Sequence, residues 1–530
     1  MFLDAIKGYL GGQYWPSKEL RLLQIQDVSD ESWLMLEKLV QEYLADHVTV
    51  PIQQLVNVVE RYMPHDSTFA RVQTAAEILA VGAEADSWDE ENFNFSNNGR
   101  KKLVVKDYSK PKPVKKFPVT GRRYEGYLDK SALEILNKSP LYLNREHLKN
   151  EEIHPDPELQ SEIVKAQEVY ESIGNNAFYM DHFMDARGRI YADSYHVNHQ
   201  SYEYKRASIE FYPVVIPSNA RKWIEVDIAN QCGLDKYTFE ERIKRTGDVE
   251  KPWLHANAVR ALEACDKGIP TGFVMGLDAC ASGLQMLAVM SRCEVTAEHT
   301  NLKGSQRNDV YGLHHKAMEK RVGHIGLDRK TIKGATMTVF YGSQKTPRET
   351  FPDKPVLNAF YESLSEIAPL PTKLIKIIKQ CWDNTALYHE WVLPDGHTAH
   401  VKVYVPYMKR FEVQELDGKK FTYAYKENEA SDYGVSILGN TVHSVDSYVC
   451  REMIRRMDKQ GIQILTIHDA YYTRPQYMDI LCHTYREIMA DVMEMDLLED
   501  ILFQITKKHI AVPKGSLKIA DILNSKHAIC

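Results

Sequence analysis

The sequence has no C-x-x-C pair among its eight cysteines, no apolar run near the length of a membrane span, and no excess of basic residues. Each absence excludes something. Cys232, Cys265, Cys280, Cys293, Cys381, Cys450, Cys482 and Cys530 stand apart, so zinc ribbons and dithiol redox motifs lack support. Such cysteines are expected as small buried apolar residues in a reducing compartment. Charged or polar residues interrupt every apolar stretch short of the ~20 residues a bilayer requires, so no membrane association is expected. The opening Met1-Phe2-Leu3-Asp4-Ala5-Ile6-Lys7 has an early acid, and neither a secretory core nor an Arg-rich transit signal. The expectation is a protein that stays where it is made. A formal net charge of −7 argues against indiscriminate coating of nucleic acid, yet leaves room for a local basic cleft.

What is present is ordinary in bulk and uneven in detail. With 44% hydrophobic and 26% charged residues, the 530-residue chain reads as globular with two to four domains or subdomains. Apolar residues at helical spacing predict helices over Glu31–Tyr43 and Phe69–Val81. An acidic patch (Glu84 to Glu91) and an Asn-rich run precede a basic, proline-punctuated stretch from Arg100 to Arg123. That stretch reads first as a solvated linker, and second as an arm that neutralises phosphates. Pro155-Asp156-Pro157 introduces a helix over Glu158–Ser172. Beyond Asn175 short strand-like runs alternate with helices. Gly272–Leu277 and Ile462–Ile467 resemble buried strands, each closely followed by an aspartate, and Asp417-Gly418 marks a hairpin. The fold class expected is α+β, largely helical.

Three segments carry chemistry. Asp278 stands where a strand-like run stops, a place where the sheet fixes the backbone and the carboxylate can face a cleft to hold a hard cation. Taken alone, a strand-end aspartate is more often a cap or turn residue. Asp469, in Ile467-His468-Asp469-Ala470, repeats the arrangement, and two acids from different strands can clamp two Mg2+ ions. The third segment runs from Arg329 to Gly342. As a helix it would set Arg329, Lys333, Met337 and Tyr341 near one face, since they recur every four residues. Two cations there suit a triphosphate, Met337 and Tyr341 could flank base and sugar, and Gly342 would end the helix. An ordinary amphipathic helix with a basic end is the equal alternative for this segment alone.

In order along the chain, these segments resemble the motifs of the single-subunit, bacteriophage-type and mitochondrial-type DNA-directed RNA polymerases. Asp185-Ala-Arg-Gly-Arg-Ile-Tyr191 is similar to the family's D-x-R-G-R-x-Y, and Asp278 to Gln285 to its first catalytic motif. Asp309-Val-Tyr311 is similar to the D-x-Y that follows. Arg329-x3-Lys333-x7-Tyr341-Gly342 resembles the second motif, and His468-Asp469 the third. Smaller matches lie at Trp391–Gly396, Asn440–Ser444 and Pro513–Leu517. The resemblance covers roughly residues 175 to 530. It implies a right-hand polymerase fold: a reduced N-terminal helical region over 1–124, a thumb-like region over 125–175, a palm over 176–285 and 435–530, and fingers over 286–434. It also implies roles. Asp278 and Asp469 would bind two Mg2+ ions, with the carbonyl of Ala279 as a further ligand. Lys333 would meet the incoming triphosphate and donate a proton to pyrophosphate, and Arg329 would bind phosphates. Tyr341, supported by His443, would sense the ribose 2′-hydroxyl, with Met337 and Tyr311 lining the substrate site. Arg187 and Arg189 would face the template or hybrid; for Arg189 a structural ion pair is the alternative.

The related DNA polymerases share R-x3-K-x7-Y-G, but carry a bulky glutamate in the first motif and H-D-E in the third. Here small residues follow Asp278 and Ala470 follows Asp469, so ribose fits and RNA synthesis is the expectation. A catalytically inactive, nucleic-acid-binding paralogue is the other alternative. A DNA template, ribonucleoside triphosphates and an RNA product are the partners implied, with no membrane. The small N-terminal part suggests that promoter opening relies on an accessory protein or single-stranded template. The short chain and missing transit signal point to a bacterial virus. The protein would then act in the cytoplasm of an infected host, packaged in the virion or made after infection.

Overall fold

The computed structural model describes residues 108–530, except 117, 121–127, 150–155, 325, 327, 415–419 and 432–434. The two N-terminal helices, the acidic patch, the first and last parts of the basic stretch and the Asp417-Gly418 turn therefore lie outside the described residues. So does nearly all of region 1–124. Within the basic stretch, Lys115 pairs with Asp193.

The chain is α+β and largely helical, as its texture implied. Helix α1 (Ser131–Lys138) buries Leu133 and Leu136. Helix α2 (Pro157–Ile173) begins at the proline expected to start it and buries Ile163, Ala166, Tyr170 and Ile173, spaced three or four apart. Strands β1 (His182–Met184) and β2 (Ile190–Ala192) form an antiparallel hairpin. Its turn is gripped by Asp185, whose Oδ1 accepts from the backbone N–H of Arg187 (2.8 Å) and Arg189 (3.1 Å). At its tip Gly188 is left-handed (φ +87°), and a Cβ there would meet the Arg451 guanidinium at 2.2 Å. Only glycine fits.

Helices α3 (Arg221–Gln231) and α4 (Pro252–Lys267) follow, then β3 (Met275–Asp278). The strand is shorter than the run from Gly272 suggested, because Gly272 packs against the Phe211 carbonyl while its own carbonyl accepts from Phe211 N–H. Helix α5 (Ser282–Met290) is buried at every position, which explains an apolar sequence with no amphipathic stripe. A helical group comes next: α6 (Val310–Val322), α7 (Arg329–Phe340), α8 (Lys354–Ile367) and α9 (Pro369–Gln380). Hairpin β4 (Tyr388–Val392) with β5 (Thr398–Lys402) is followed by a long one, β6 (Tyr404–Gln414) with β7 (Lys420–Ala430). Its register, Gln414↔Lys420, brackets the turn expected at Asp417-Gly418.

Helix α10 (Val435–Lys459) is 25 residues long, and Leu438, Val442, Val445, Val449 and Met453 along it are fully buried. Its Arg451, 1% exposed, donates to Asp395 (3.0 Å) and to the Gly188 carbonyl (2.8 Å). That contact ties the Trp391–Gly396 segment and the Asp185–Arg189 turn to the core helix. Arg451 and Arg455, which donates to the same carboxylate at 3.1 Å, hold the Asp395 carboxyl well below the usual carboxylate range. Strands β8 (Leu465–Ile467) and β9 (Ala470–Thr473) complete the central sheet, whose order is β8-β9-β3, all antiparallel. Helices α11 (Met478–Glu494) and α12 (Leu497–Thr506) pack behind it. The cysteines are all free, and buried except for the partly exposed Cys232. Among the described residues no helix is long and apolar enough to cross a membrane.

Candidate active site

The two aspartates meet because of strand register. Residue Ala470 of β9 is paired with Asp278 of β3, and Ala279 N–H donates to the Asp469 carbonyl at 3.1 Å. Asp278 is therefore beside Asp469 across a single strand pairing. The β8–β9 connection is only His468-Asp469, a two-residue hairpin loop. His468 has φ +57°. A left-handed first loop position matches the twist of a hairpin but is normally filled by glycine, so the turn stores strain on the order of 1 kcal/mol. It lifts Asp469 to the end of the sheet. A further cross-link, Cys530 N–H to the Asp278 carbonyl (2.9 Å), fixes β3 from its other edge.

Asp278 opens into the cleft, yet protein surrounds it on most sides. Burial first, then Asp469 beside it, push its carboxyl up to about 8, while Lys333 acts in the opposite sense. Two carboxylates held this close favour a cation between them. Among the described residues no three His, Cys, Asp or Glu side chains are placed to hold a metal. Two carboxylates with the neighbouring Ala279 carbonyl make an incomplete oxygen set. That suits a hard ion such as Mg2+, which keeps waters and substrate phosphates in its shell.

Facing the sheet is α7. Asp328 caps it by accepting from Thr331 N–H (2.8 Å), and Ile332, Ala335, Thr336, Val339 and Phe340 are buried in the core. That leaves Lys333 and Met337 on the cleft side. The helix ends one residue earlier than its four-residue repeat, with Tyr341 as the C-cap and Gly342 at φ +100°. Asp278, Ala279, Asp469, Tyr311, Lys333, Met337 and Tyr341 line one cavity of about 100 Å³. A second of about 90 Å³, beyond Lys333, includes Arg329, and a larger one of about 460 Å³ opens on the other side of the aspartates. Asp278 lines all three.

The remaining residues singled out in the sequence lie at different removes. Arg329 is in the second cavity, but Asp309 clasps its guanidinium with both oxygens, one contact at 2.6 Å. The Tyr341 ring packs on His443 with centroids 4.4 Å apart. Its hydroxyl is beside Gly283, where an added Cβ would meet it at 3.1 Å. Burial lifts the Tyr341 hydroxyl to about 12. Burial first, then Arg189 and Arg187, depress His443 to about 3, so its ring is neutral at physiological pH. Arg187 is held by Asp185 (Nε to Oδ2, 2.9 Å) and its Nη1 is 3.2 Å from His443 Nδ1. The Arg189 guanidinium reaches Asp446 at 3.3 Å. Both arginines are thus engaged inside the protein, and Arg189 forms the ion pair that was its alternative.

One residue escaped the motif reading, and another was read without its partner. Asp446 is 3% exposed in α10, three residues after His443, and Asp469 adds to the burial that pushes it up to about 7. An acid in the otherwise uncharged helical run from Val435 to Cys450 was the available signal. Asp309 was noted within Asp309-Val-Tyr311 without its grip on Arg329, which requires two helices to meet.

The family described as DNA-dependent RNA polymerase matches residues 407–527. The human mitochondrial DNA-directed RNA polymerase is 24% identical over 455 residues, covering 70% of this chain and 36% of its own length. DNA-directed RNA polymerase 1 of Arabidopsis thaliana mitochondria is 23% identical over 459 residues, 70% of this chain and 45% of its own. The DNA-directed RNA polymerase of Pseudomonas phage phiKMV is 22% identical over 437 residues, 67% of this chain and 52% of its own. The chain thus spans between about a third and a half of the length of these relatives. It is similar to DNA-directed RNA polymerases of mitochondria and of a phage, with the family match falling on residues 407–527.

Proposed function

We propose that this chain is a DNA-directed RNA polymerase that extends RNA by transferring ribonucleotides from their triphosphates, on phage genes in the cytoplasm of an infected bacterium. One observation carries the reading. The strand-paired Asp278 and Asp469 line the same cavity as Lys333, Met337 and Tyr341 of the facing helix. In right-hand terms the β8-β9-β3 sheet is the palm (176–285 and 435–530), α7 belongs to the fingers (286–434), and 125–175 is thumb-like. Promoter opening by an accessory protein, or use of a single-stranded template, completes this reading.

Each side chain has a task in the transfer. When bound, two Mg2+ ions would lower the pKa of the RNA 3′-hydroxyl and neutralise the triphosphate. Asp278, Asp469 and the Ala279 carbonyl would hold them. Lys333 draws the triphosphate to the cleft and gives a proton from Nζ to the pyrophosphate oxygen as the Pα–O bond breaks. Arg329 joins it if the phosphates displace Asp309. Met337 and Tyr311 border the base and sugar. The Tyr341 hydroxyl, its ring set by neutral His443, is the polar group available to a ribose 2′-hydroxyl. Arg187 and Arg189, held by Asp185 and Asp446, shape the turn that faces the template or hybrid. No bulky side chain projects from Gly283 toward Tyr341, which favours this reading over a DNA polymerase. An inactive binder would have no use for the acids and Lys333 in one cavity.

The test is extension of an RNA primer on a DNA template with Mg2+ and either rNTPs or dNTPs. Ribonucleotide extension is expected, with Asp278→Asn and Asp469→Asn each lowering it about a thousandfold or more. Preferred dNTP use would move the chain to the DNA polymerases, and full activity in either variant would remove the carboxylates from the mechanism.

A further inference from the structure

The cavity beyond Lys333 contains four cations, and they are not equally committed. Lys236 pairs with Asp235, and Arg329 is clasped by Asp309. Lys333 is 5.6 Å from the centre of the Tyr311 ring. Arg307 differs from all of these. Its Nη1 donates to the carbonyl of the next residue, Asn308, while its Nε is buried and bonds nothing. Among the described residues no carboxylate is within ion-pair distance of its guanidinium. Asp235 and Asp309 lie within its field, but each already holds another cation. The other titratable groups in its field are Cys280 and Cys530, whose sulfurs are 2.8 Å apart.

A guanidinium half out of water without a carboxylate partner is costly to keep. The loop that carries it is nonetheless built to hold it still. Asn301, left-handed at φ +63°, accepts from Asn308 N–H at 2.6 Å and donates to the Asn308 carbonyl at 3.0 Å. The Asn308 side chain then donates to the Glu298 carbonyl at 2.8 Å. Residues 307, 308 and 309 therefore act as a unit: one cation in the cavity, one clamp, and one acid gripping Arg329.

We infer that Arg307 is a further phosphate ligand, binding the diphosphate end of the incoming nucleotide and the pyrophosphate released from it. The inference rests on the polymerase reading and adds to it a residue two positions before the Asp309-Val-Tyr311 motif. The ligand is dianionic or more, and it supplies the charge and the acceptors that Arg307 lacks. Arg307 is a positioning residue: it touches the leaving group rather than the reacting phosphorus.

The experiment is calorimetric titration of the full chain, without template, using inorganic pyrophosphate with Mg2+ and, separately, a ribonucleoside monophosphate. Arg307→Gln should weaken pyrophosphate binding about tenfold or more and leave monophosphate binding unchanged. A merely structural role would weaken both. Arg307→Lys, which keeps the charge but not the fork, should fall between and serves if the glutamine variant does not fold. Pyrophosphate affinity equal to wild type in a folded Arg307 variant, or no pyrophosphate binding by wild type, would overturn the inference. Loss of pyrophosphate affinity in a chain that makes no RNA would instead remove the polymerase reading and leave a phosphate site.

Discussion

The sheet that carries the acids and the helix that carries the cations solve the same problem differently. Asp278 and Asp469 are placed by backbone pairing, down to the Ala279 N–H that bonds the Asp469 carbonyl. Lys333 and Met337 are placed by a helix that anchors one face in the core and presents the other. The first solution has no slack. A residue's shift in register would turn each acid away, because side chains alternate across a strand. The second leaves the cations on stems that can follow a substrate.

Two glycines sharpen that contrast. Gly276 in β3 faces the Tyr472 ring, and a Cβ there would fall 2.2 Å from two of its carbons. Tyr472 cannot easily yield, since its hydroxyl is held by Arg206 at 2.6 Å. Gly276→Ala should therefore push β3 away from β9 and cost about a hundredfold in kcat, the loss that a misplacement of roughly 1 Å brings. Gly334, adjacent to Lys333 in α7, has no atom within 4 Å of where a Cβ would be. Gly334→Ala should stabilise the protein by about 0.5–1 kcal/mol, seen as a small rise in melting temperature, with kcat within a factor of a few. Equal effects of the two substitutions in the extension assay would erase the distinction.

The same contrast explains what the sequence disclosed. Helix α7 was legible because a four-residue recurrence projects onto one face, and Gly342 marked its end. The acids were legible as strand-end residues, but their meeting was not. That depends on a two-residue turn at His468-Asp469 and on pairing between segments some 190 residues apart by number. The Asp185 turn was legible as a motif, while its anchoring by Arg451 and Asp395 required three distant segments to converge. Asp446 and Arg307 went unread for a related reason. Each matters through a neighbour, Arg189 or an empty stretch of cavity, that no spacing in the chain predicts.

The proposed function requires Asp278 and Asp469 to act as one cation-binding unit beside a triphosphate. Electron paramagnetic resonance with Mn2+, in the presence of a non-hydrolysable ribonucleoside triphosphate, reads that unit without requiring turnover. Wild type should bind two ions per chain, and Asp278→Asn and Asp469→Asn should each lose at least one. Unchanged number and affinity of bound Mn2+ in both variants would contradict it.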